Sequence, residues 1–400
     1  MTKEKELISP MLLILIMVFF TACKDASSED KVEEEIGEEN TIVKYSDRFS
    51  YLLEYPIDSI SFPRSADRDG KIKKVPSKDW TSGFFPGSLW RIYQITDDVR
   101  YRDRAKEWTV FIEKEKYNDR THDMGFKVFC SFGNGYKILN DPRYKDVIIE
   151  SAETLSTRYN STVKSIRSWD FNKEQWQFPV IIDNMMNLEL LFEASKYSQD
   201  QKYYDIAEQH AKTTLKNHFR TNNSSYHVVD YDTISSGIRS KVTHQGFGNE
   251  SSWARGQAWG LYGYTMAYRY TNNNEFLEQA KKIATFLIEH HRLPEDAIPY
   301  WDFDAPKIPN EPRDVSAAAV IASGMIELYE HTKDEKYLDF SDKIINSLSS
   351  EKYVIQEETI VPFILDHSTG NWPKNDEING PISYADYYFL EAILRRKTLK

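Results

Sequence analysis

Asp123 and Asp183 are the residues of this chain whose type and setting best suit acid–base chemistry. Asp183 follows the apolar run Phe178-Pro179-Val180-Ile181-Ile182 and opens Asp183-Asn184-Met185-Met186-Asn187-Leu188-Glu189-Leu190-Leu191-Phe192, a segment apolar on nearly every side. A helix apolar all round is surrounded by protein, so the carboxylate at its start is expected on the floor of a cavity. Asp123 lies between His122 and Met124-Gly125-Phe126. Desolvation by such neighbours raises a carboxyl pKa, whereas a helix N-terminus favours the ionised form. The sequence leaves open which effect prevails. Two acids driven apart in pKa are the usual equipment for general acid/base work on sugars.

The elements that must position these acids form a repeat. Asp98/Tyr101, Asp141/Tyr144, Asp200/Tyr203, Asn273/Phe276 and Asp334/Tyr337 each place an acid or amide three residues before an aromatic. Each aromatic starts an apolar stripe at helical spacing, as in Tyr101, Ala105, Trp108 and Ile112, with charged residues opposite. These are one-sided outer helices. Each follows a small-residue-rich inner helix, over 83–95, 125–139, 183–197, 255–270 and 315–331. An outer-like segment at Tyr45–Tyr55 and an inner-like one at Tyr384–Arg395 complete six hairpins by joining the two ends. An open solenoid would need polar capping units. The expected fold is therefore all-α, an (α/α)6 barrel over residues 41–400, with minor strand content in loops such as Ser225–Asp232.

Parallel inner helices open all their N-termini at one mouth. The segments there are Asp79-Trp80-Thr81-Ser82-Gly83, Thr121-His122-Asp123-Met124-Gly125, Ile182-Asp183-Asn184, Ser252-Trp253-Ala254-Arg255-Gly256-Gln257, Arg313-Asp314-Val315-Ser316 and Ser383-Tyr384-Ala385-Asp386. Any one of these acids taken alone reads more readily as an N-cap than as a catalytic group; their convergence with Trp, His and Arg is what describes a pocket. Trp80 and Trp259 are candidates to stack on a sugar ring or to pack the core. Arg255, in a Gly-rich inner helix, requires an anion, and a substrate carboxylate is favoured over a protein one. No G-x-S-x-G, Walker or H-E-x-x-H pattern is present. Cys130 reads as a small buried hydrophobe. Neither a metal nor an organic cofactor is expected.

The chain carries a net charge of −11 without a basic run to neutralise phosphates, which argues against nucleic acid as a partner. At the start, Lys3 and Lys5 precede the apolar run Met11–Phe20 and then Phe20-Thr21-Ala22-Cys23. That run is too short to span a bilayer. It resembles a bacterial lipoprotein signal, residues 1–23, with lipidation at Cys23, and implies a lipid-anchored protein of the cell envelope. Residues 24–40 are acidic and read as a flexible tether.

Several motifs resemble, in order, those of the unsaturated glucuronyl hydrolases, glycoside hydrolase family 88. They are Trp80-Thr81-Ser82-Gly83-Phe84, Thr121-His122-Asp123-Met124-Gly125-Phe126, Asp183-Asn184-Met185-Met186-Asn187-Leu188 and Tyr226-His227-Val228-Val229-Asp230. Thr243-His244-Gln245-Gly246, Ser252–Trp259, Asp314–Ala319 and Tyr384–Phe389 continue the match, which spans nearly all of 45–396. The resemblance implies an (α/α)6 barrel that removes a 4,5-unsaturated uronic acid from lyase-generated oligosaccharides by hydrating its double bond. By the same carry-over Asp183 is the proton donor and Asp123 its support. His227, Gln245 and Arg255 contact the uronate, Trp80, Phe84 and Trp259 stack on or wall the −1 site, and His122 and Asn184 join the binding set. Relatives acting on sulfated chains hold sulfate with a serine–serine–lysine loop. Here the region reads His367-Ser368-Thr369-Gly370-Asn371-Trp372-Pro373-Lys374, leaving Ser368 and Lys374 as substitutes or Trp372 as an apolar +1 wall. Glycosaminoglycan, ulvan and similar lyase products all stay open as substrates. The rivals are an unsaturated rhamnogalacturonyl hydrolase of the same fold, an inverting glycosidase or lyase, and a non-catalytic glycan-binding lipoprotein.

Overall fold

The computed structural model describes residues 45–399; the leader, Cys23 and the 24–40 tether lie outside the described residues. Helix α1 covers 45–54. It is followed by α2 (Phe84–Thr96), α3 (Val99–Val110), α4 (Asn134–Leu139), α5 (Pro142–Ser156), α6 (Leu188–Ser198) and α7 (Gln201–Asn217). The chain continues through α8 (Ala254–Thr271), α9 (Asn274–Ile288), α10 (Val315–Thr332), α11 (Glu335–Leu348) and α12 (Ser383–Thr398). Two inner helices begin irregularly. A π-helical segment, Gly125–Gly133, leads into α4, and a 3-10 turn, Ile182–Asn187, leads into α6.

The inner elements α2, 125–139, 182–198, α8, α10 and α12 pack each on the next, and α12 packs back on α2. The ring is closed, as the hairpin pattern implies. Helices α3, α5, α7, α9 and α11 lie outside it, each presenting the buried stripe that its aromatic begins. Helix α1 takes the sixth outer place, with Tyr45 edge-on to Phe389 of α12 at 5.7 Å and Phe49 edge-on to Tyr101 of α3 at 6.5 Å.

Asp98, Asp141, Asp200, Asn273 and Asp334 all cap outer helices, each accepting the backbone N–H two residues on. Each such cap contributes about 1 kcal/mol. Small residues set the inner spacing: a Cβ on Gly263 of α8 would fall 2.5 Å from the Met185 Cβ. The short strands sit in the connections. β1 (Ser61–Ala66) pairs with β2 (Ile72–Pro76), and β3 (Tyr159–Asn160) with β4 (Ser165–Ile166). β5 (Pro179–Ile181), β6 (Val228–Tyr231) and β7 (Ile238–Val242) form an antiparallel three-stranded sheet, and β8 (Ser368–Asn371) pairs with β9 (Asp376–Gly380).

The end of the ring opposite the inner N-termini is held by ion pairs. Arg91 bonds Glu391 at 2.6 Å, Arg269 faces Glu327 at 3.0 Å, and Arg395 also bonds Glu327. These groups line a cavity of about 260 Å³. Its charges answer one another, whereas the two candidate acids lie at the other end.

Candidate active site

Asp183 is delivered by the three-stranded sheet. Ile181 of β5 pairs with Val228 of β6, and the Ile182 N–H donates to the His227 carbonyl at 3.0 Å. That register sets Asp183 beside the His227 ring, with His227 Nε2 3.6 Å from Asp183 Oδ2. His227 Nδ1 accepts the backbone N–H groups of His244 at 3.1 Å and Gln245 at 3.2 Å. A nitrogen accepting two N–H groups carries no proton, so the proton of a neutral ring sits on Nε2, facing the carboxyl. Burial holds His227 far below the usual histidine range, with His244 and Arg255 adding to the effect.

Asp183 is 9% exposed, and its Oδ2 has no hydrogen-bond partner. Burial pushes its carboxyl up to about 7 and the Asp123 charge adds to the rise, while Arg255 and the Trp259 indole pull the other way. Desolvation thus prevails over the helix start, which is a 3-10 turn with no side-chain cap. Asp123 lies in a more open setting: Thr121 Oγ1 donates to its Oδ2 at 2.7 Å and His122 Nε2 stands 3.2 Å from its Oδ1. His122 is 2% exposed and stands directly beside the Asp123 carboxylate.

The other mouth acids are committed elsewhere. Asp314 caps α10 through the Ser316 and Ala317 N–H groups, Asp386 accepts the Ile364 and Leu365 N–H groups, and Asp79 accepts from Arg64 and Thr81. Neither Asp123 nor Asp183 caps its helix. Capping accounts for Asp314 alone; Asp386 is taken by loop N–H groups and Asp79 by Arg64 and Thr81, and neither caps α12 or α2.

The structure corrects several expectations. Arg255 is answered by protein: Nη1 bonds Asp314 at 2.7 Å and the Thr369 carbonyl at 2.6 Å, and Nη2 bonds the Gly370 carbonyl at 2.6 Å. Its fork is filled by a carboxylate and the β8–β9 hairpin, so the favoured substrate partner is replaced by Asp314. Asn184 is wholly buried and donates to the Ile166 carbonyl at 2.9 Å, so its amide nitrogen braces the loop before the three-stranded sheet. Trp259 and Phe84 are wholly buried and pack on Phe126 at 5.3 Å each, forming the aromatic wall below the site and no exposed platform. Ser368 is also wholly buried, which removes it from the +1 side. Trp372 stacks on Trp301 at 5.3 Å.

Trp80 and Gln245 keep partly open faces. Arg64 holds Trp80 with its guanidinium 5.6 Å from the ring, while bonding Asp79 and Glu377. Gln245 Nε2 donates to the Gly370 carbonyl at 3.2 Å, so Arg255 and Gln245 grip the same hairpin. Lys374 is exposed and acts electrostatically on His244, which lies 5.4 Å from Trp169 and 5.7 Å from Phe171.

Two positioning residues were missed from sequence. Asn187 Oδ1 accepts the Phe126 N–H at 3.0 Å, tying the Asp123 helix to the Asp183 helix. A Cβ on Gly125 would lie 2.7 Å from the Asn187 Cα, so only glycine permits this approach. Trp253 covers His227 with ring centroids 4.6 Å apart and lies under Arg255. A polar residue in the apolar run after Asp183 was the available signal for Asn187; Trp253 carried none beyond its place in a motif.

The model of Glycosyl Hydrolase Family 88 matches residues 61–292. A curated unsaturated glucuronyl hydrolase of Formosa agariphila is 56% identical over 97% of this chain and 98% of its own. The chain belongs to glycoside hydrolase family 88. It is therefore a glycosidase that releases unsaturated uronic acid from oligosaccharides. Its fold matches the crystal structure of an unsaturated glucuronyl hydrolase specific for heparin, with a TM-score of 0.86 and 44% identity over 90% of this chain and 96% of that one. A Streptococcus agalactiae unsaturated glucuronyl hydrolase variant complexed with dGlcA-GalNAc6S matches with a TM-score of 0.76 and 28% identity over 90% of this chain and 91% of that one. Glycosyl hydrolase family 47 matches residues 260–396, about a third of the chain.

Proposed function

We propose that this enzyme removes the non-reducing-end 4,5-unsaturated uronic acid from lyase products of a polyanionic polysaccharide, with Asp183 as acid and Asp123 as its charged partner. The observation that carries this reading is the unlike setting of two electrostatically coupled carboxyls at one mouth. One is buried beside His227 with a free oxygen; the other is half-open and hydrogen-bonded by Thr121.

Protonated Asp183 gives its proton to C4 of the double bond, and positive charge develops at C5 beside the ring oxygen. Asp123 stabilises that charge more than it stabilises the neutral substrate, which is the condition for acceleration. Water adds at C5 and returns a proton to Asp183. The hemiketal then opens and the shortened saccharide leaves. When Asp183 loses its proton, the His227 Nε2–H is placed to receive the new negative charge, closing from its resting 3.6 Å.

Glycosaminoglycan products are the substrates favoured, because one similar solved structure is of an enzyme specific for heparin and another holds dGlcA-GalNAc6S. Trp80 offers a face to the unsaturated ring. Trp169, Phe171, His244 and Lys374 border the next sugar, with the Lys374 ammonium suited to an anionic substituent. Lyase digests of heparin, chondroitin and ulvan, followed by the ultraviolet absorbance of the double bond, test this. At least one glycosaminoglycan digest loses absorbance with the parent enzyme and none does so with Asp183→Asn. Turnover of the ulvan digest alone would overturn the substrate assignment.

The proposal extends to location. Lipidation at Cys23 tethers the catalytic unit to the cell envelope, which fatty-acid labelling of parent and Cys23→Ala proteins tests; equal labelling of both excludes it.

A further inference from the structure

The N–H groups of four successive residues in the loop before α8 are all engaged within the fold. Those of His244 and Gln245 converge on His227 Nδ1, at 3.1 and 3.2 Å. That of Gly246 donates to Thr243 Oγ1 at 2.8 Å, and that of Phe247 to Asp302 Oδ2 at 2.9 Å. Asp302 lies between α9 and α10 and is wholly buried. Ser251 Oγ donates to the same Asp302 oxygen at 2.7 Å, while Oδ1 accepts the Asp304 N–H at 2.9 Å. Both oxygens of this side chain therefore accept, which an amide could not reproduce. Burial pushes the carboxyl up, and its three donors oppose the rise. The Asp302 backbone also pairs with that of Trp253, whose ring covers His227. A Cβ on Gly246 would fall 3.0 Å from Asp302 Oδ2 and 2.7 Å from Thr243 Oγ1, so the loop meets its anchor at a glycine.

We propose that Asp302 is a positioning residue for this reaction: it anchors the 243–251 loop, two of whose N–H groups lock His227 as the Nε2–H tautomer facing Asp183. This rests on the reading of Asp183 as the acid. A neutral imidazole with its proton on Nε2 can donate to the Asp183 carboxylate but cannot accept from the carboxylic acid. Nor can the ring take a second proton while two N–H groups occupy the Nδ1 lone pair. Protonated Asp183, 3.6 Å from Nε2, thus keeps its proton for C4 of the substrate. With the loop released, Nδ1 is free to hold a proton. Nε2 then turns a lone pair towards Asp183 and competes with the double bond for the same proton. Asp302 acts through the loop and not by contact with the reacting atoms.

The test reads the tautomer directly, from the magnetic-resonance shifts of the ring nitrogens in protein made with isotope-labelled histidine. The His227 signals are assigned by their loss in His227→Gln. Rates are measured on the lyase-generated oligosaccharide that the parent enzyme turns over fastest. The parent is expected to hold the His227 proton on Nε2 alone; a proton on Nδ1 overturns the proposal. Asp302→Asn removes one accepting oxygen and is expected to populate the Nδ1–H form and lower kcat by about tenfold or more, with KM within about threefold. Ser251→Ala takes one donor from Asp302 and is expected to act the same way more weakly, lowering kcat by about threefold; it decides alone if Asp302→Asn does not fold. Tautomer and kcat must move together. A kcat loss with His227 still in the Nε2–H form makes Asp302 a structural anchor only. A changed tautomer with the parent kcat makes the lock irrelevant to the reaction, and parent values of both leave the loop without a hold on the ring. Each of these results overturns the proposal, and so does a loss confined to KM, which would assign the loop to substrate binding. Asp183→Asn is run alongside. Turnover retained there sinks the acid assignment and this proposal with it; turnover abolished there, with His227 unmoved in the loop variants, sinks this proposal alone.

Discussion

Replacing Asp183 by asparagine should abolish turnover and, at alkaline pH, make the protein more stable. A carboxyl at its ordinary value of 3.8 would be protonated in only ~0.1% of molecules at pH 7, whereas one raised to about 7 is protonated in about half. Burial therefore enriches the working acid several hundredfold at neutral pH. The same burial burdens the fold. Below about pH 4 both folded and unfolded states hold the proton and nothing is lost. As the pH rises from there through about 7, the unfolded state releases its proton while the folded state must keep it or ionise a desolvated group. Stability falls over that window by an amount on the order of 4 kcal/mol, complete above about pH 7. Asparagine carries no such burden. Paired thermal melts should therefore show Asp183→Asn melting above the parent by a larger margin at pH 8 than at pH 5. Initial rates from the loss of double-bond absorbance should fall with rising pH through about 7 in the parent, approaching tenfold per unit above it. The reasoning is refuted if Asp183→Asn turns over substrate near the parent rate, or if it melts lower than the parent at pH 8.

Asp123→Asn removes a charge that raises Asp183, so the alkaline limb of any residual activity should move to lower pH; a limb that moves upward contradicts the coupling. Arg255→Ala strands Asp314 and frees two hairpin carbonyls, and should cost about 3–5 kcal/mol in urea denaturation. A change in KM with unaltered stability would instead restore substrate as its partner. Gly125→Ala drives a methyl group against the Asn187 backbone, costing about 1–3 kcal/mol and lowering kcat by separating the acid-bearing helices. An unchanged melting temperature and kcat would show that the helices can yield.

Much of the architecture was legible because it repeats. The Asp–x–x–aromatic signature marked the outer caps, and all five caps form as hydrogen-bonded turns. Inner-helix bounds were read to within a residue or two at α2, α8 and α10, where small residues and continuous burial leave little freedom. The irregular starts at Gly125 and Ile182 were not legible, because π and 3-10 turns arise from the neighbour each segment meets and not from its own composition. Sequence singled out two acids from the rim but could not exclude capping, which depends on which backbone N–H each oxygen reaches. Arg255 was misassigned for a related reason. The carbonyls that fill its fork come from a hairpin more than a hundred residues later, and carbonyls leave no mark in a side-chain alphabet. Ser368 failed because the first three residues of its strand are all buried, a covering that comes from neighbours distant in sequence.

Because α1 and α12 together make the last hairpin, the wall around the reacting sugar cannot be completed until nearly the whole polypeptide is available. A fragment stopping before Ser383 would leave α2 and α10 each with an uncovered flank, and Trp80 without the Tyr384 ring that lies 4.9 Å away. Chains that lack α12 thus present sticky, catalytically empty horseshoes.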